Sequence, residues 1–529
     1  MDLHSAGHRR GVVCAPHATA VEAGRAILAE GGNAIEAMLA MAGTIAAVYP
    51  HMNHIGGDGF WLIREPSGRV RAIMAPGPAG RNAQRELYRE YDTIPPRGPL
   101  AALTVPGAVG GWMLAHEAAK AFGAKLPLDV LLASAIAHAR DGYTVTRSQK
   151  RLTQEHFDDL SGVHGFAATF LLDGKVPEVG TILKQEKFAE TLAHLADAGL
   201  DDFYRGDVGR ELAVDLERLG SPVAREDLTR YRAYLREPLQ LNLPIGTIYN
   251  TDAPTQGVVS LMILALFERF DVKDAESFEH IHLLIEATKR ALLVRDRAVT
   301  DPSHLSHPLE RYLDSRFIAG EAMKIDRRKA APWRSRAGDG DTVWMGAADA
   351  GGLAVSYIQS LYWEFGSGLV LPRTGVLMQN RGASFSLEAG ALNLLAPGRL
   401  PFHTLNPALA VLNDGRIMAY GCMGGDGQPQ TQAALFTRQV LFREPLEQAI
   451  DRPRWLLGRT WGAALASLRI EPRFDDSLIE QLATAGHDIE VLDDAYSDVM
   501  GHAGAAVLHP SGTLEGAHDP RADGGAAGV

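Results

Sequence analysis

The segment GDGDTVWMGAADA, residues 338–350, decides how the rest of the sequence is interpreted. A turn rich in Gly and Asp leads into a short apolar run that is typical of a buried strand, and Thr342 stands at the junction. Two interpretations are open from this segment alone. Thr342 belongs to an ordinary loop that enters a strand, or it is a nucleophile that becomes exposed when the chain is cleaved.

The second interpretation has a chemical basis. A threonine hydroxyl is a poor nucleophile unless a base lies beside it, and a chain-terminal threonine carries its own base, the α-amine, with a pKa of roughly 7.7 to 8. Cleavage between Asp341 and Thr342 would create this amine. The GDGD approach would let the Thr342 hydroxyl attack the Asp341 carbonyl, and an N-to-O acyl shift followed by hydrolysis would release the new terminus.

Composition limits the classes of protein to consider. With 529 residues the chain predicts either two domains or one large layered core. The net charge of −12 disfavours a nucleic-acid partner, and two cysteines in so long a chain suit a reducing compartment. The N-terminal stretch MDLHSAGHRRGVV lacks the apolar region of a secretory signal, and the longest apolar stretches are too short or too interrupted by Gly to span a membrane. We therefore expect a cytoplasmic enzyme.

Several elements can be predicted before and after the decisive segment. Thr19-x-x-Glu22 and Asn33-x-x-Glu36 have the form of capping boxes, each opening a helix. The second helix, AIEAMLAMAGTIAAV, is apolar on nearly every side, which predicts burial between layers. The stretch IGGDGFWLIREPSGRVRAIMAP predicts two strands joined by a Ser-Gly turn.

The texture of the sequence changes along its length. Residues from about 106 to 320 are mainly helical in pattern, residues 321–341 predict an exposed polar linker, and the remainder is rich in strands. Helices followed by strands predict an α+β fold or a four-layer α/β/β/α sandwich cut at the linker.

Three local patterns have both an ordinary and a functional interpretation. His51 and His54 could share a metal ion, but the glycines that follow favour a loop and no third ligand is near in sequence. GGDGF (56–60) and GAVGG (107–111) are incomplete phosphate-loop fragments. In AYGCMGGDGQPQ (419–430) the N–H groups of Gly424 and Gly425 either form an oxyanion hole or belong to a tight turn.

The order and spacing of a set of motifs resemble the γ-glutamyltransferase family of N-terminal nucleophile hydrolases nearly end to end. These motifs are APHATAVEAGRAILAEGGNAIEAMLA, YPHMNHIGGDGFWL, TVPGAVGGW, ARDGYTV, GDT at the cleavage point, SYIQSLYWEFGSG, GGDGQPQ, DRPRW and GAHDPRADGGA. The resemblance implies that Thr342 is nucleophile and base, that Gly424 and Gly425 form the oxyanion hole, and that Ser360 supports the nucleophile.

The resemblance also implies how the chain is organised. It implies a helix-rich large chain, residues 1–341, and a strand-rich small chain, residues 342–529, which remain intertwined as one domain after cleavage between Asp341 and Thr342. Neither a metal nor an organic cofactor is expected. Association of two such heterodimers is compatible with the resemblance.

The sequence departs from the family where the glutamyl group is held. Ala72 stands where the family has an arginine for the α-carboxylate, with Arg71 one residue away, and Ala383 and Ser384 stand where the family has an acidic pair. His403 and Thr404 replace two serines, and Tyr362 replaces an asparagine. A pocket without an anionic partner binds an ammonium group poorly, because the desolvation penalty of a buried charge is several kcal/mol.

The segments GDTVWMG, YWEFGSG, QNRGASFS and PFHTLNPALAV resemble the oxamate amidohydrolase branch of the family, which hydrolyses oxamate to oxalate and ammonia in purine-ring catabolism. This resemblance implies a small carboxylate amide as substrate. Arg381, His403 and Thr404 are the candidates for binding its carboxylate, Arg381 being favoured for a bidentate contact. Trp344, Tyr362 and Trp363 are candidates for filling the abandoned glutamyl space. The ordinary interpretations are a structural ion pair for Arg381 and core packing for the aromatic residues.

Other functions stay open at this point. Within the family these are a γ-glutamyl hydrolase or transferase and a β-lactam side-chain acylase. From a different class comes an uncleaved protein that keeps the fold and binds ligands without catalysis.

Overall fold

The computed structural model of the chain describes residues 1–333, 341–458 and 467–529, and at residue 341 the backbone only. The strands, in chain order, are β1 (His4–His8), β2 (Gly11–Ala15), β3 (Asp58–Arg64), β4 (Val70–Ala75), β5 (Tyr143–Thr144), β6 (Ile182–Leu183), β7 (Tyr234–Arg236), β8 (Leu239–Leu243), β9 (Gly246–Asn250), β10 (Asp341–Asp349), β11 (Ala354–Tyr362), β12 (Ala408–Leu412), β13 (Ile417–Cys422), β14 (Trp455–Leu457), β15 (Leu468–Ile470), β16 (Ile489–Val491), β17 (Ala503–Leu508), β18 (Leu514–His518) and β19 (Gly525–Gly528).

The α-helices, in the same order, are α1 (Ala18–Ala29), α2 (Ala34–Val48), α3 (Ala108–Lys120), α4 (Leu128–Asp141), α5 (Arg147–Glu155), α6 (Phe157–Leu160), α7 (Phe166–Phe170), α8 (Glu186–Ala198), α9 (Asp202–Arg205), α10 (Asp207–Leu219), α11 (Arg225–Arg230), α12 (Gly257–Glu268), α13 (Phe278–Ala298), α14 (Ser315–Ala322), α15 (Gly427–Phe436), α16 (Leu446–Asp451) and α17 (Asp476–Thr484).

Two seven-stranded antiparallel sheets form the centre of the fold. The first sheet has the order β19-β2-β10-β11-β3-β4-β7 and contains Thr342, and the second has the order β1-β18-β17-β13-β12-β9-β8. Each sheet combines strands from before residue 341 with strands from after it. The two segments are therefore interleaved in space, and neither has a sheet of its own.

The core has three apolar layers. One lies between the first sheet and the helices around α2, one lies between the second sheet and α12, α13 and α15, and the third lies between the two sheets. The middle layer includes Cys14, Phe60 and Trp344. This is the four-layer α/β/β/α sandwich, so of the two architectures predicted the layered one is confirmed.

The predicted helix starts are partly confirmed. Asn33 and Glu36 form the predicted capping box, and every residue of α2 is buried, as its apolar surface predicts. The cap at Thr19 is wrong: α1 begins at Ala18, and the side chain of His17 accepts the N–H of Thr19. The two strands predicted around the Ser-Gly turn are β3 and β4.

The predicted exposed linker at 321–341 is confirmed for most of its described part, since residues 323–329 are exposed apart from Ile325, but Glu321 and Ala330 are buried. Glu321 is buried and accepts hydrogen bonds from Arg290 and Lys324, and Ala330 donates its N–H to the carbonyl of Ala485. Glu321 thus forms ion pairs with Arg290 of α13 and with Lys324, which follows the end of α14. Residues 334–340, which include the start of the GDGD approach, lie outside the described residues.

Both cysteines, Cys14 and Cys422, are free and buried, as a small apolar residue would be, and burial raises the pKa of each thiol to about 12. Among the helices of the described segments, none is both long enough and apolar enough to cross a bilayer.

Candidate active site

Thr342 lies at the start of β10, where the pairing with β11 is irregular. Asp341 pairs with Tyr362 and Val343 pairs with Gln359, so two residues of β11, Ser360 and Leu361, stand opposite Thr342. Such bulges are common beside active sites, because they redirect a side chain out of the regular ladder. Thr342 is only 1% exposed in the uncleaved chain.

Ser360, the predicted supporting hydroxyl, lies across the strand pair from this threonine. Its Oγ accepts the N–H of Tyr362 at 2.8 Å, and its partner on the neighbouring strand β3 is Asp58. A side chain at Gly57 would collide with the Ser360 carbonyl, at 2.1 Å from an added Cβ. The glycines of the GGDGF segment therefore let backbones approach closely, which explains them without a phosphate.

Arg381 and Tyr362 form a cation–π pair beside the bulge. The guanidinium carbon lies 3.8 Å from the centroid of the Tyr362 ring, and Tyr362 has a φ of 89°, in the left-handed region. Arg381 is 1% exposed, and neither Nη1 nor Nη2 has a hydrogen-bond partner among the residues that the structure describes. Burial lowers the pKa of Arg381 to about 10, so the group is still a cation at neutral pH. The predicted structural ion pair for Arg381 is absent from the described contacts.

Asp58, at the start of β3, is a functional candidate that sequence reasoning missed. Its Oδ1 accepts three hydrogen bonds, from the N–H groups of Gly77 (2.9 Å) and Gly107 (3.0 Å) and from Gln379 Nε2 (3.1 Å). Burial raises the pKa of this carboxyl to about 7 against the effect of these donors. The expected pocket without an anionic partner must be corrected, because the Asp58 carboxyl lies beside Arg381 and His403. Its place between glycines in a segment that continues into an apolar strand was the available signal.

His403 contacts Asp58 from the second sheet's side of the site. His403 Nε2 lies 3.2 Å from Asp58 Oδ2, in contact but off the ideal hydrogen-bond direction. Burial, with a further contribution from Arg381, lowers the pKa of His403 well below its usual value, so the imidazole is neutral. Its ring packs edge-on against Phe60, with 4.9 Å between ring centroids.

Gln256 joins the His403–Thr404 segment to the glycine turn. Its Nε2 donates to the carbonyls of Thr404 (2.8 Å) and Gly425 (2.9 Å), and its Oε1 accepts from Arg295 at 3.1 Å. Arg295 also forms a buried ion pair with Asp426. The predicted oxyanion turn and the segment of His403 and Thr404 are thus held together by one buried polar network.

The glycine turn has backbone conformations that residues other than glycine rarely adopt. Gly424 and Gly425 both have positive φ values, 117° and 47°, and α15 begins two residues later, at Gly427. The N terminus of a helix carries partial positive charge, which favours a developing anion nearby. Met423, just before the turn, donates its N–H to the carbonyl of His502 at 3.1 Å, which ties the turn to the residues before β17.

Other residues singled out from the sequence do not join this group. Arg71 is half exposed and pairs with Glu65, so it does not replace the missing arginine at Ala72. Trp344 is buried between the sheets, where its Nε1 donates to Ser356 Oγ at 2.9 Å, so it belongs to the core. Ser384 and Ala383 lie in a short 3₁₀ turn that begins at Arg381.

The two histidines weighed as metal ligands from the sequence do not share a site. His51 contacts Ser148, and Nδ1 of His54 accepts the N–H of Leu377, so these two histidines have separate surroundings. Elsewhere, ligand atoms of His282, Glu286 and His487 lie close together. These ligand atoms have protein partners: the two imidazoles contact each other at 2.9 Å, and Glu286 forms an ion pair with Lys289 at 2.7 Å.

Comparisons with known proteins agree with this arrangement. The sequence profile of the family described as Gamma-glutamyltranspeptidase matches residues 20–529. The chain is 52% identical to the oxamate amidohydrolase proenzyme of Klebsiella pneumoniae, over 99% of this chain and 100% of that one. It is 38% identical to a glutathione hydrolase-like proenzyme of Bacillus subtilis, over 98% of each chain.

The fold is similar to that of a solved structure. The cephalosporin acylase of Bacillus halodurans superposes with a TM-score of 0.90 at 30% identity, covering 99% of this chain and 97% of that chain. The four-layer arrangement is therefore that of an N-terminal nucleophile hydrolase.

Proposed function

Because the chain belongs to the gamma-glutamyltranspeptidase family of N-terminal nucleophile hydrolases, we propose that it is an autoprocessed amidohydrolase whose substrate is oxamate. Cleavage between Asp341 and Thr342 yields a large chain, 1–341, and a small chain, 342–529. The mature enzyme cleaves the amide of this small carboxylate and releases oxalate and ammonia.

The observation that carries the substrate is the guanidinium of Arg381. It is buried, it is held against Tyr362, and its Nη1 and Nη2 donate to no group among the described residues. A planar carboxylate supplies two acceptors at the spacing of these two donors. Among the described residues, the carboxyl identified near it is Asp58, whose Oδ1 accepts three hydrogen bonds and whose Oδ2 faces His403. Burial raises the pKa of this carboxyl to about 7, so it is a weak partner for a substrate ammonium at neutral pH. The site thus suits an anion without an amino group.

The proposed reaction gives each candidate group one role. Arg381 binds the carboxylate of oxamate, and the Thr342 hydroxyl attacks the adjacent amide carbon while the Thr342 α-amine accepts its proton. The N–H groups of Gly424 and Gly425 stabilise the oxyanion of the tetrahedral intermediate. The C–N bond then breaks, the amine's proton passes to the leaving ammonia, and water hydrolyses the oxalyl ester to regenerate Thr342.

The relatives support oxamate as the substrate and also indicate the second candidate. Identity is higher to the oxamate amidohydrolase proenzyme than to the glutathione hydrolase-like proenzyme, which favours oxamate over γ-glutamyl substrates. The high fold similarity to a cephalosporin acylase keeps larger amides as the second candidate. The proposal also includes a cytoplasmic location, a role in purine-ring catabolism and a dimer of heterodimers.

The test compares two substrates in parallel. Purified mature protein is incubated with oxamate and with γ-glutamyl-p-nitroanilide, and release of ammonia or nitroaniline is measured, with Thr342→Ala as the blank. Ammonia from oxamate with little nitroaniline supports the proposal. Nitroaniline release at a comparable or greater rate assigns the site to γ-glutamyl groups and overturns it.

A further inference from the structure

The candidate site contains a group of buried polar atoms that the protein leaves open. Nη1 and Nη2 of Arg381, Nδ1 of His403 and Oγ1 of Thr404 have no hydrogen-bond partner among the described residues, and all three side chains are at most 1% exposed. Most buried polar groups in folded proteins are paired, so a cluster of open ones needs an explanation. A small polar ligand that pairs with all of them supplies one.

The chemical character of His403 Nδ1 depends on Asp58. A neutral imidazole has one N–H donor and one acceptor nitrogen, and which is which is set by the partner of the other nitrogen. Burial raises the pKa of Asp58 to about 7, so above that pH its carboxyl is ionised and can only accept, and the tests below are made there. Because Oδ2 of Asp58 faces Nε2 of His403 at 3.2 Å, the proton belongs on Nε2, and Nδ1 then carries a lone pair.

The position of Asp58 is fixed independently of His403. The N–H groups of Gly77 and Gly107 both donate to Oδ1. The backbone at Gly77 packs closely against Val105, since an added Cβ at Gly77 would lie 1.5 Å from the Val105 carbonyl oxygen. Gln379 donates to the same oxygen. Three donors at Oδ1 direct the carboxyl so that Oδ2 is left for His403.

We propose that Asp58 is a positioning residue that holds His403 with its proton on Nε2, so that Nδ1 accepts an N–H of the substrate's amide. This inference rests on the proposed function and sharpens it. Arg381 selects the carboxylate, and His403 selects an adjacent amide that carries N–H, against an ester of the same acid. Contacts of this kind are often imperfect before substrate binds, which agrees with the off-direction geometry of the His403–Asp58 contact.

One conservative change inverts the proposed arrangement. In Asp58→Asn the three donors at Oδ1 still require an acceptor, so the amide oxygen takes that position and the amide nitrogen faces His403. An amide nitrogen donates, so Nε2 becomes the acceptor and the proton moves to Nδ1. Nδ1 then presents a donor to the substrate N–H, while it remains compatible with an ester oxygen.

The kinetic test measures the ratio of kcat/KM for oxamate to kcat/KM for the monomethyl ester of oxalic acid. We expect Asp58→Asn to lower this ratio on the order of ten- to a hundredfold, since a site left with a mismatched buried hydrogen-bonding group discriminates by at least that much. Gln379→Met is the matched control, because it removes one donor to Oδ1 without reversing the group that faces His403, and it should leave the ratio within about twofold.

A double variant tests whether Asp58 acts by positioning His403 or has a purely structural role. His403→Asn keeps an oxygen that can accept near the former Nδ1 but has no Nε2 through which Asp58 could act. In that background Asp58→Asn should no longer change the ratio. If the change persists, or if Asp58→Asn leaves the ratio of the parent unaltered, Asp58 does not act through His403 and the inference is overturned.

The tautomer can be measured without turnover. The mature enzyme labelled with ¹⁵N in its histidines, compared with His403→Asn to assign the signal, should show His403 protonated at Nε2. Protonation at Nδ1 in the parent overturns the inference even if Asp58→Asn fails to fold. Absence of oxamate hydrolysis by the parent would instead refute the proposed function, and this outcome is distinguishable because the tautomer measurement does not depend on it.

Discussion

Arg381 lies over the ring of Tyr362, with 3.8 Å between the guanidinium carbon and the ring centroid. The cation is thus stabilised by a π face and by the charge of Asp58, neither of which uses its N–H groups. A guanidinium held in this way keeps its donors available for a ligand. Tyr362 accordingly supports a cation in the proposed site.

Substitution of Arg381 tests its role as the carboxylate-binding group. We expect Arg381→Lys to lower kcat/KM for oxamate on the order of ten- to a hundredfold, because a point charge replaces a bidentate donor pair, and Arg381→Met to lower it further. Thermal unfolding should show Arg381→Met to be at least as stable as the parent, since a buried cation with open donors is removed. A strong loss of stability with oxamate turnover retained would assign Arg381 to a structural role.

Thr342 governs both cleavage and turnover in the proposed mechanism. Thr342→Ala should give a single band near 57 kDa on a denaturing gel and no release of ammonia from oxamate. Thr342→Ser keeps a hydroxyl and should still yield two bands, although more slowly. Cleavage of Thr342→Ala at the same bond would show that the hydroxyl is not what breaks the chain.

The buried Asp58 should give the protein a distinctive pH dependence of stability. Its pKa is about 7 in the folded chain and near 3.8 when exposed, so between these values the folded state binds more protons than the unfolded state. The free energy of unfolding therefore falls as pH rises from about 4 to 7, by at most ~1.4 kcal/mol per pH unit from this group, and is independent of Asp58 above that range.

Asp58→Asn isolates this contribution from those of other buried groups. The charged or titratable neighbours of Asp58 are Arg381, His403, Tyr204, Tyr231 and Tyr357. His403 has the opposite sign, since its lowered pKa makes stability fall at acid pH. We expect the stability of Asp58→Asn relative to the parent to increase from pH 4.5 to 7, measured by urea unfolding. A constant difference across this range would show that Asp58 is ionised throughout.

Local signals in the sequence predicted local structure well. The Asn33 capping box and the uniformly apolar α2 needed only neighbouring residues, and both are present. The cap at Thr19 failed because His17, two residues earlier, supplies the acceptor instead. The burial of Glu321 could not be predicted, since one of its partners, Arg290, lies 31 residues earlier in another helix.

In the candidate site, too, features set by neighbouring residues could be predicted, and features set by residues distant in sequence could not. The twist of backbone at Gly424 and Gly425 follows from two successive glycines, and the placement of Thr342 follows from its strand. Asp58 was hidden because its donors, Gly77, Gly107 and Gln379, are distant in sequence and meet only in the folded chain. An acidic residue at the entrance to an apolar strand must find partners when buried, and this requirement was the one clue to it.

The two glycines of the oxyanion turn should differ in their tolerance of a side chain. Gly424, with a φ of 117°, has a conformation that L-residues rarely adopt, whereas Gly425, with a φ of 47°, lies near the left-handed helical region that alanine enters at a cost of ~1–2 kcal/mol. Both alanine variants keep both N–H groups, so neither removes a donor. We expect Gly424→Ala to reduce kcat for oxamate far more than Gly425→Ala, because it must rotate the Gly424–Gly425 peptide to relieve strain. Equal losses in the two variants would mean that side-chain bulk, and not the direction of the N–H groups, limits the reaction at this turn.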